Sequence, residues 1–487
     1  MSVRGLAGDF VLLRLPAKDG QDRTERARAG ETRGSLERPR TSRWFVAKCR
    51  GSRARLQRVP PEPAAEATPA SQSRSAQDWR VLLAIYAITA LVESTGVSQV
   101  FAFLPLRLQQ IGLPDRDVAS FTGIFTALIF VFGIFLVPFW GVWADKYSRR
   151  AVIVRSAVVE AVVFAGVAVA NQPWQLAGVL LLTGLQLGNT GVMLAALRDV
   201  SPTNRIGTVS AAFGAAGPVG FALGPIVGGF VVDGLHLPLT AVFWIGAALS
   251  LAIVILLMTA SHEVRPSVIP AGRSLDLAGA AVRSVVGDAQ VRRLFVIFGV
   301  AILGSLMARP YLPILVEGLV GRGDGLASAI GLVVGTAAMV GALVSPGAGP
   351  LGDRLGLRPV LIGTLLIGGV SLAPMPLAPG VAALAALAVV FAASNAGVQA
   401  MVFALLAVET PPERRSATLN LVLLPLYVAG IIGPSVAAGF AAMAGVGAVY
   451  PIAGATMVVT ALALAGLLRR PAGRDRVARS DPRSPAS

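Results

Sequence analysis

Twelve stretches of this chain run for about twenty residues or more with little charge, and a bilayer's hydrocarbon core asks for a helix of about that length. They lie near 81–104, 117–142, 151–170, 174–197, 207–232, 237–260, 294–316, 326–347, 359–376, 381–407, 417–443 and 447–468. Lipid offers a backbone amide no partner, so each stretch must close its hydrogen bonds on itself as a helix. Gly and Pro recur inside them and are tolerated where neighbouring helices re-satisfy the freed groups. A mean hydropathy of +0.70 with 54% hydrophobic and 14% charged residues is too apolar for an ordinary soluble core. The expected fold class is an all-α membrane protein with twelve transmembrane helices.

Arginine and lysine set its direction. Loops and membrane edges after even-numbered spans hold Lys146, Arg149, Arg150, Arg155, Arg198, Arg205, Arg265, Arg273, Arg283, Arg292, Arg293, Arg354, Arg358, Arg414 and Arg415; the opposite loops hold only Arg107, Arg116 and Arg322. The positive-inside rule then predicts both termini in the cytoplasm and the chain in the plasma membrane. The net charge of +16 belongs mostly to topology and tails, not to a nucleic-acid footprint.

Residues 1–78 carry 16 basic and 9 acidic groups with one brief apolar patch, Phe10 to Leu13, and are predicted disordered, as is the tail 469–487. An arm for anionic lipid and an inert extension both fit the first tail. It lacks the continuous apolar core of a signal peptide. Cys49, the only cysteine, excludes an internal disulfide and a thiolate metal site.

The chain also repeats itself. The loop Gly141 to Arg150 returns as Gly349 to Arg358, and Phe103-Leu104-Pro105 returns as Tyr311-Leu312-Pro313, both at an offset of 208. Gly224-Pro225 returns as Gly433-Pro434 at 209. Three features in one order predict two related six-helix bundles, over 79–260 and 293–468, joined by a linker over 261–292. Within the linker, Leu275, Leu277, Val282, Val285 and Val286 suit a helix at the membrane surface.

These residues resemble the major facilitator superfamily. Its loop pattern is met by Gly141, Asp145, Lys146, Arg149 and Arg150, with Ser148 where glycine is usual, and again by Gly349, Asp353, Arg354, Gly356 and Arg358. The resemblance implies two pseudo-symmetric six-helix bundles, with the loop latching them and biasing the inward/outward equilibrium. Physically, Gly141 would let a helix approach, Asp145 would accept from a helix N-terminus, and the cations would face the cytoplasmic interface. A topogenic loop with a cap is the plainer reading. Span five, with Gly220, Gly224, Pro225, Gly228 and Gly229, resembles the signature of proton-coupled antiporters; its bare chemistry is close packing of small residues. The span-four arginine usual in such antiporters is replaced by Thr183, so only Gln186 of that motif survives.

Three ionisable residues lie well inside the spans: Glu93, Glu160 and Arg309. Ionisable groups at that depth are functional candidates by default. Glu93, roughly 18 Å into span one at 1.5 Å per residue, is the first candidate for proton coupling. Glu160, about 14 Å into span three, is a second candidate or a statically paired acid. Arg309 can pair an acid such as Glu93, attract an anionic substrate, or reach to the interface. Gln99, Gln186, Asn189, Asn395 and Gln399 join it as candidates for a substrate cavity, or as helix-to-helix hydrogen bonds.

The two histidines lie in loops, and no phosphate loop or metal cluster is present in the sequence, so catalysis, cofactors and direct ATP drive are not expected. The expected function is a secondary transporter working by alternating access, exporting small amphipathic compounds against protons across the bilayer with no obligate protein partner. Uptake of a polar metabolite is the alternative within transport, and a non-transporting sensor of this fold the alternative outside it.

Overall fold

A computed structural model describes residues 78–266, 269, 271–410, 421 and 423–469. Residues 1–77 and 470–487 of the predicted tails, Cys49 among them, and Arg414 and Arg415 lie outside these residues. Twelve helices are long and apolar enough to cross a membrane. Spans one to six are Trp79–Gln110, Asp115–Lys146, Arg149–Val169, Pro173–Val200, Thr203–Gly234 and Leu239–Ala260. Spans seven to eleven are Ala289–Val320, Leu326–Leu355, Leu357–Leu377, Val381–Glu409 and Leu424–Ala444. Span twelve is Val446–Arg469. A further helix, Ser274–Gly287, lies in the linker, where the amphipathic pattern placed one.

Helix ends follow from the side chains beside them. Asp78 accepts from the Arg80 amide at the start of span one, and Ser148 does the same for Ala151 at the start of span three. Arg107, read from the sequence as a loop cation, is instead buried. Its guanidinium donates to the carbonyls of Val167, Ala168 and Ala170 at 3.0, 3.0 and 2.6 Å. A cation there satisfies the orphan carbonyls of span three and meets the negative end of its dipole.

Small residues bring the helices together. At Gly220 and Gly224 of span five, the space a Cβ would take is filled by the Leu91 and Thr95 carbonyl oxygens of span one, and at Gly228 by the Phe103 ring. Thr95 donates to the Gly220 carbonyl at 3.1 Å and Gln99 to the Gly224 carbonyl at 3.3 Å. Gly229, read as part of the same set, meets span eight at Ala327 and Ser328. The two halves therefore touch along spans five and eight, where Gly331 faces the Pro225 carbonyl, and along spans two and eleven, where Gly430 faces the Phe130 ring.

Replacing Gly220 by Val should lower the thermal midpoint of the purified protein in detergent, a loss of about 1–3 kcal/mol or more from overpacking against backbone. Gly214→Ala, whose Cβ meets nothing within 4 Å, should leave it unchanged.

Candidate functional site

Span four is not one continuous helix. It runs as α-helix over Pro173–Leu182, tightens into a 3-10 turn at Thr183–Leu185, and restarts at Asn189 after Gly188, whose φ of 99° only glycine adopts without strain. The break leaves the Gln186 and Leu187 carbonyls without helical partners. Span three supplies them: Arg155 donates to both at 3.3 Å, and Ser156 donates to Gln186 at 2.7 Å. The Arg155 guanidinium lies 3.8 Å from the Trp140 ring centroid, a cation–π contact on its other side.

The same break aims two amides at span one. Gln186 donates to Glu93 Oε1 at 3.1 Å and Asn189 to Oε2 at 2.8 Å. Glu160 is buried beside them, its Oε1 3.4 Å from where a Gly96 Cβ would sit and without a hydrogen-bond donor. Neither carboxyl has an ion-paired lysine or arginine among the described residues; Arg155 is the cation near Glu93. The result is an acid layer between spans one, three and four.

A separate cavity of about 340 Å³ lies between the two halves. Phe101, Phe221 and Phe391 give it aromatic walls, and Arg309, Asn395 and Gln399 its polar groups. Arg309 stands at a second helix break, a 3-10 turn over Arg309–Tyr311 inside span seven. Ser94 lines the cavity while its neighbour Glu93 does not, so span one separates the two sites.

Hydrogen bonds between the halves, among the described residues, gather at the face opposite the 141–150 loop. Gln109 donates to both oxygens of Glu317 at 3.0 and 2.9 Å. These two residues are 208 apart, the repeat offset itself, so equivalent positions of the two halves meet. Arg322 forms a two-pronged pair with Asp115 at 2.9 and 2.7 Å, and the Ser328 amide donates to Asp233 at 2.6 Å. Asp115 first, then Glu317, raise the Arg322 pKa above the usual arginine value, so the pair stays charged. It is 54% and 65% exposed, which makes it a weak, salt-screened clasp of about 0–1 kcal/mol.

Known proteins share this fold. The profile of the Major Facilitator Superfamily matches residues 82–329 and 294–487. The chain belongs to the major facilitator superfamily. Among curated relatives, the multidrug resistance protein MdtG of Escherichia fergusonii is 28% identical over 307 residues, covering 63% of this chain and 74% of that one. MdtG of Klebsiella pneumoniae is 25% identical over 397 residues, 81% and 95% of the two chains. Among solved structures, the nucleoside transporter NupG superposes with a TM-score of 0.66 at 16% identity, over 80% of this chain and 100% of that one. The human organic anion transporter MFSD10 does so with 0.59 at 17%, over 79% and 99%. At such identities the structures show the fold alone.

Within this superfamily fold, several expected contacts are replaced. Arg309 does not pair with Glu93, because span one and the Gln186 and Asn189 amides enclose the acid. Gln99 turns to span five, and Gln186 and Asn189 to Glu93, so none of these three lines the cavity. Asp145 accepts from Arg149 at 2.9 Å instead of capping a helix, and Arg149 also pairs with Asp199 at 2.6 Å. The helix N-terminus at Arg149 goes to Glu263 at 2.8 Å, and Lys146 to the Gly272 carbonyl at 2.5 Å. Arg150 donates to the Leu257 and Met258 carbonyls, and Arg358 pairs with Glu409 at 2.9 Å. Each contact stays within its own half or the linker. No atom lies within 4 Å of a Cβ built at Gly141 or Gly349, so no helix approaches there. Asp353 and Arg354 sit at the end of span eight beside Gly356, whose φ of 91° ends that helix.

Arg155, by its place in the sequence a loop-edge charge, reaches the acid layer. Its signal was present in Ser156 beside it and Glu160 five residues on, facing a span that carries Gly184 and Gly188 as breakers. The closing pairs at Asp115, Glu317 and Arg322 had no such signal.

Arg155→Met should cost about 1–3 kcal/mol per carbonyl left unpaired, read as a lower thermal midpoint, with Arg155→Lys intermediate. Arg322→Gln should raise labelling of a cysteine placed at Ala338, in a Cys49→Ser background, from the Arg322 face. The rise expected from losing about 1 kcal/mol is up to roughly fivefold, and high salt should do the same to the unsubstituted clasp.

Proposed function

We propose that this superfamily transporter exports small amphipathic compounds in exchange for protons, by alternating access. The observation that carries the reading is the acid layer, in which two amides hold Glu93 and Glu160 lies buried beside it, set behind the wall of a cavity between the halves. An acid pair without an ion-paired cation is a place where a proton can reside and leave. Similarity to MdtG, named a multidrug resistance protein, supports drug-like cargo and outward direction. The aromatic walls suit it too.

The clasp at Asp115, Glu317 and Arg322 joins the halves at one face only. With the arginine-rich loops placed in the cytoplasm by the positive-inside rule, this is a state closed to the outside. Lys146, Arg149 and Arg150, which bind no described residue of the other half here, would then be free to take part in closing the inner face. A proton on the acid layer changes what Glu93 can accept from Gln186 and Asn189, and both amides sit at the break of span four. That break is therefore the element a proton would bias.

Export requires coupled flux. In proteoliposomes with an imposed pH gradient, an aromatic amphiphile added to the wild type should drive proton movement. Glu93→Gln should keep cargo binding and reduce that flux about a hundredfold, the scale of losing a positioned proton carrier. Glu160→Gln separates the two acids: loss in that variant alone would move the coupling site to span three. Proton flux untouched in both variants would overturn the reading.

A further inference from the structure

We infer that the cavity selects cargo carrying an anionic group, a carboxylate or its like on an aromatic body, and that Arg309 is the residue that holds it. The inference rests on the reading of this cavity as the cargo site and names the chemistry of that cargo.

Charge carries the argument first. Among the described residues lining the cavity, Arg309 is the only charged one, and none is Asp, Glu, Lys or His. Its side chain is open to the cavity, and among the described residues no carboxylate forms an ion pair with it. Its guanidinium carbon lies 5.0 Å from the centre of the Phe221 ring. An aromatic face attracts a cation but does not accept its hydrogen bonds the way a carboxylate does, so five N–H donors in a fixed fork remain for a planar anion.

A second observation lies on the same wall. Tyr450 lines the cavity at 1% exposure, and its hydroxyl has no hydrogen-bond partner. Asn395, at 5% exposure on the same wall, leaves its Oδ1 unpaired. Both atoms are closed to solvent in this state, and buried polar atoms in native structures are almost always paired, so each would gain a partner only as the wall opens toward a ligand; of the two, the hydroxyl alone can donate to an anion, since Oδ1 accepts. A hydroxyl donor and a guanidinium fork suit an anion, and Phe101, Phe221 and Phe391 suit the ring that bears it.

Backbone geometry fixes the arginine there. The α-helix of span seven gives way after Ala308 to a 3-10 turn over Arg309–Tyr311, and Arg309 opens that turn. The guanidinium thus reaches from the seventh span to Phe221 of the fifth, across both halves. An anion seated on it would bind elements that alternating access must move apart, which ties cargo to conformation.

The acid layer makes the choice physically useful. A proton entering and a monoanion leaving carry charge in the same sense, so a membrane potential drives both legs of the exchange. A cationic cargo would oppose its own proton.

Three probes sharing one ring separate the possibilities: 2-naphthoate, 2-naphthamide and 2-naphthylmethylamine, titrated calorimetrically into the purified full-length protein. Naphthoate should bind about tenfold or more tightly than the amide, and the amine least. Arg309→Gln should erase that preference, and Arg309→Lys should keep part of it, since lysine retains the charge but not the fork. Tyr450→Phe, which keeps the ring and removes only the hydroxyl, should weaken naphthoate about threefold or more, on the scale of one lost hydrogen bond. Tightest binding of the amine, equal binding of all three, binding of none, or a naphthoate preference that survives in Arg309→Gln would overturn the inference. A wild type that prefers the amine while Glu93-dependent proton flux persists would overturn the anion alone and leave export standing; an anion preference without any such flux would do the reverse.

Discussion

A backbone group inside a bilayer has no water to turn to, and this structure is organised around the few places where the helices leave such groups free. Span four breaks at Gln186 and Leu187, and span three answers with Arg155 and Ser156. Span three ends at Val169, and span one answers with Arg107. In each case a cation bound to carbonyls fixes one helix against another. The arginines that a hydropathy profile reads as edge charges are here the cross-links of the first bundle.

From that constraint the sites follow in layers. Restarting span four at Asn189 turns two amides onto Glu93, which gives the acid layer. Small residues let span five lie so close to span one that carbonyls fill the space of missing Cβ atoms. The far side of the same pair, at Ser94, Phe101 and Phe221, becomes wall for the cavity. Span one therefore carries an acid on one side and cavity wall on the other. A change in how Glu93 is held has a short path to the cavity through a single helix.

The repeat is more than an ancestry mark. Gln109 and Glu317 occupy equivalent positions in the two halves and bond to each other where the halves close. The Arg322–Asp115 pair beside them is exposed and weak, which suits such a place, since a clasp worth several kcal/mol would hold one state and stop the cycle. The basic loops, by contrast, keep their bonds within their own half: Arg149 between Asp145 and Asp199, Arg358 on Glu409. The family pattern in the sequence marks the loops themselves. It does not tell which partners they hold in a given state, because those partners, Asp199, Glu263 and Glu409, lie far along the chain.

Much was legible in the residues alone. The lengths and apolarity of twelve stretches, the doubled loop and the matched Pro105 and Pro313 determined the membrane class and the two halves, because lipid permits so few backbone solutions. Glu93, Glu160 and Arg309 stood out because a buried charge is costly enough to need a reason. What only the tertiary structure decided is which of them meet. The residue types allowed Arg309 to pair with Glu93, but a possible pairing says nothing of position, and span one lies between the acid and the cavity that Arg309 lines. Helix packing likewise turned Gln99, Gln186 and Asn189 away from the cavity, and brought in Tyr450 and Phe221, whose bare sequence context is plain hydrophobic helix. Periodicity fixes what one helix shows its surroundings; only close packing of several decides which neighbour each side chain sees.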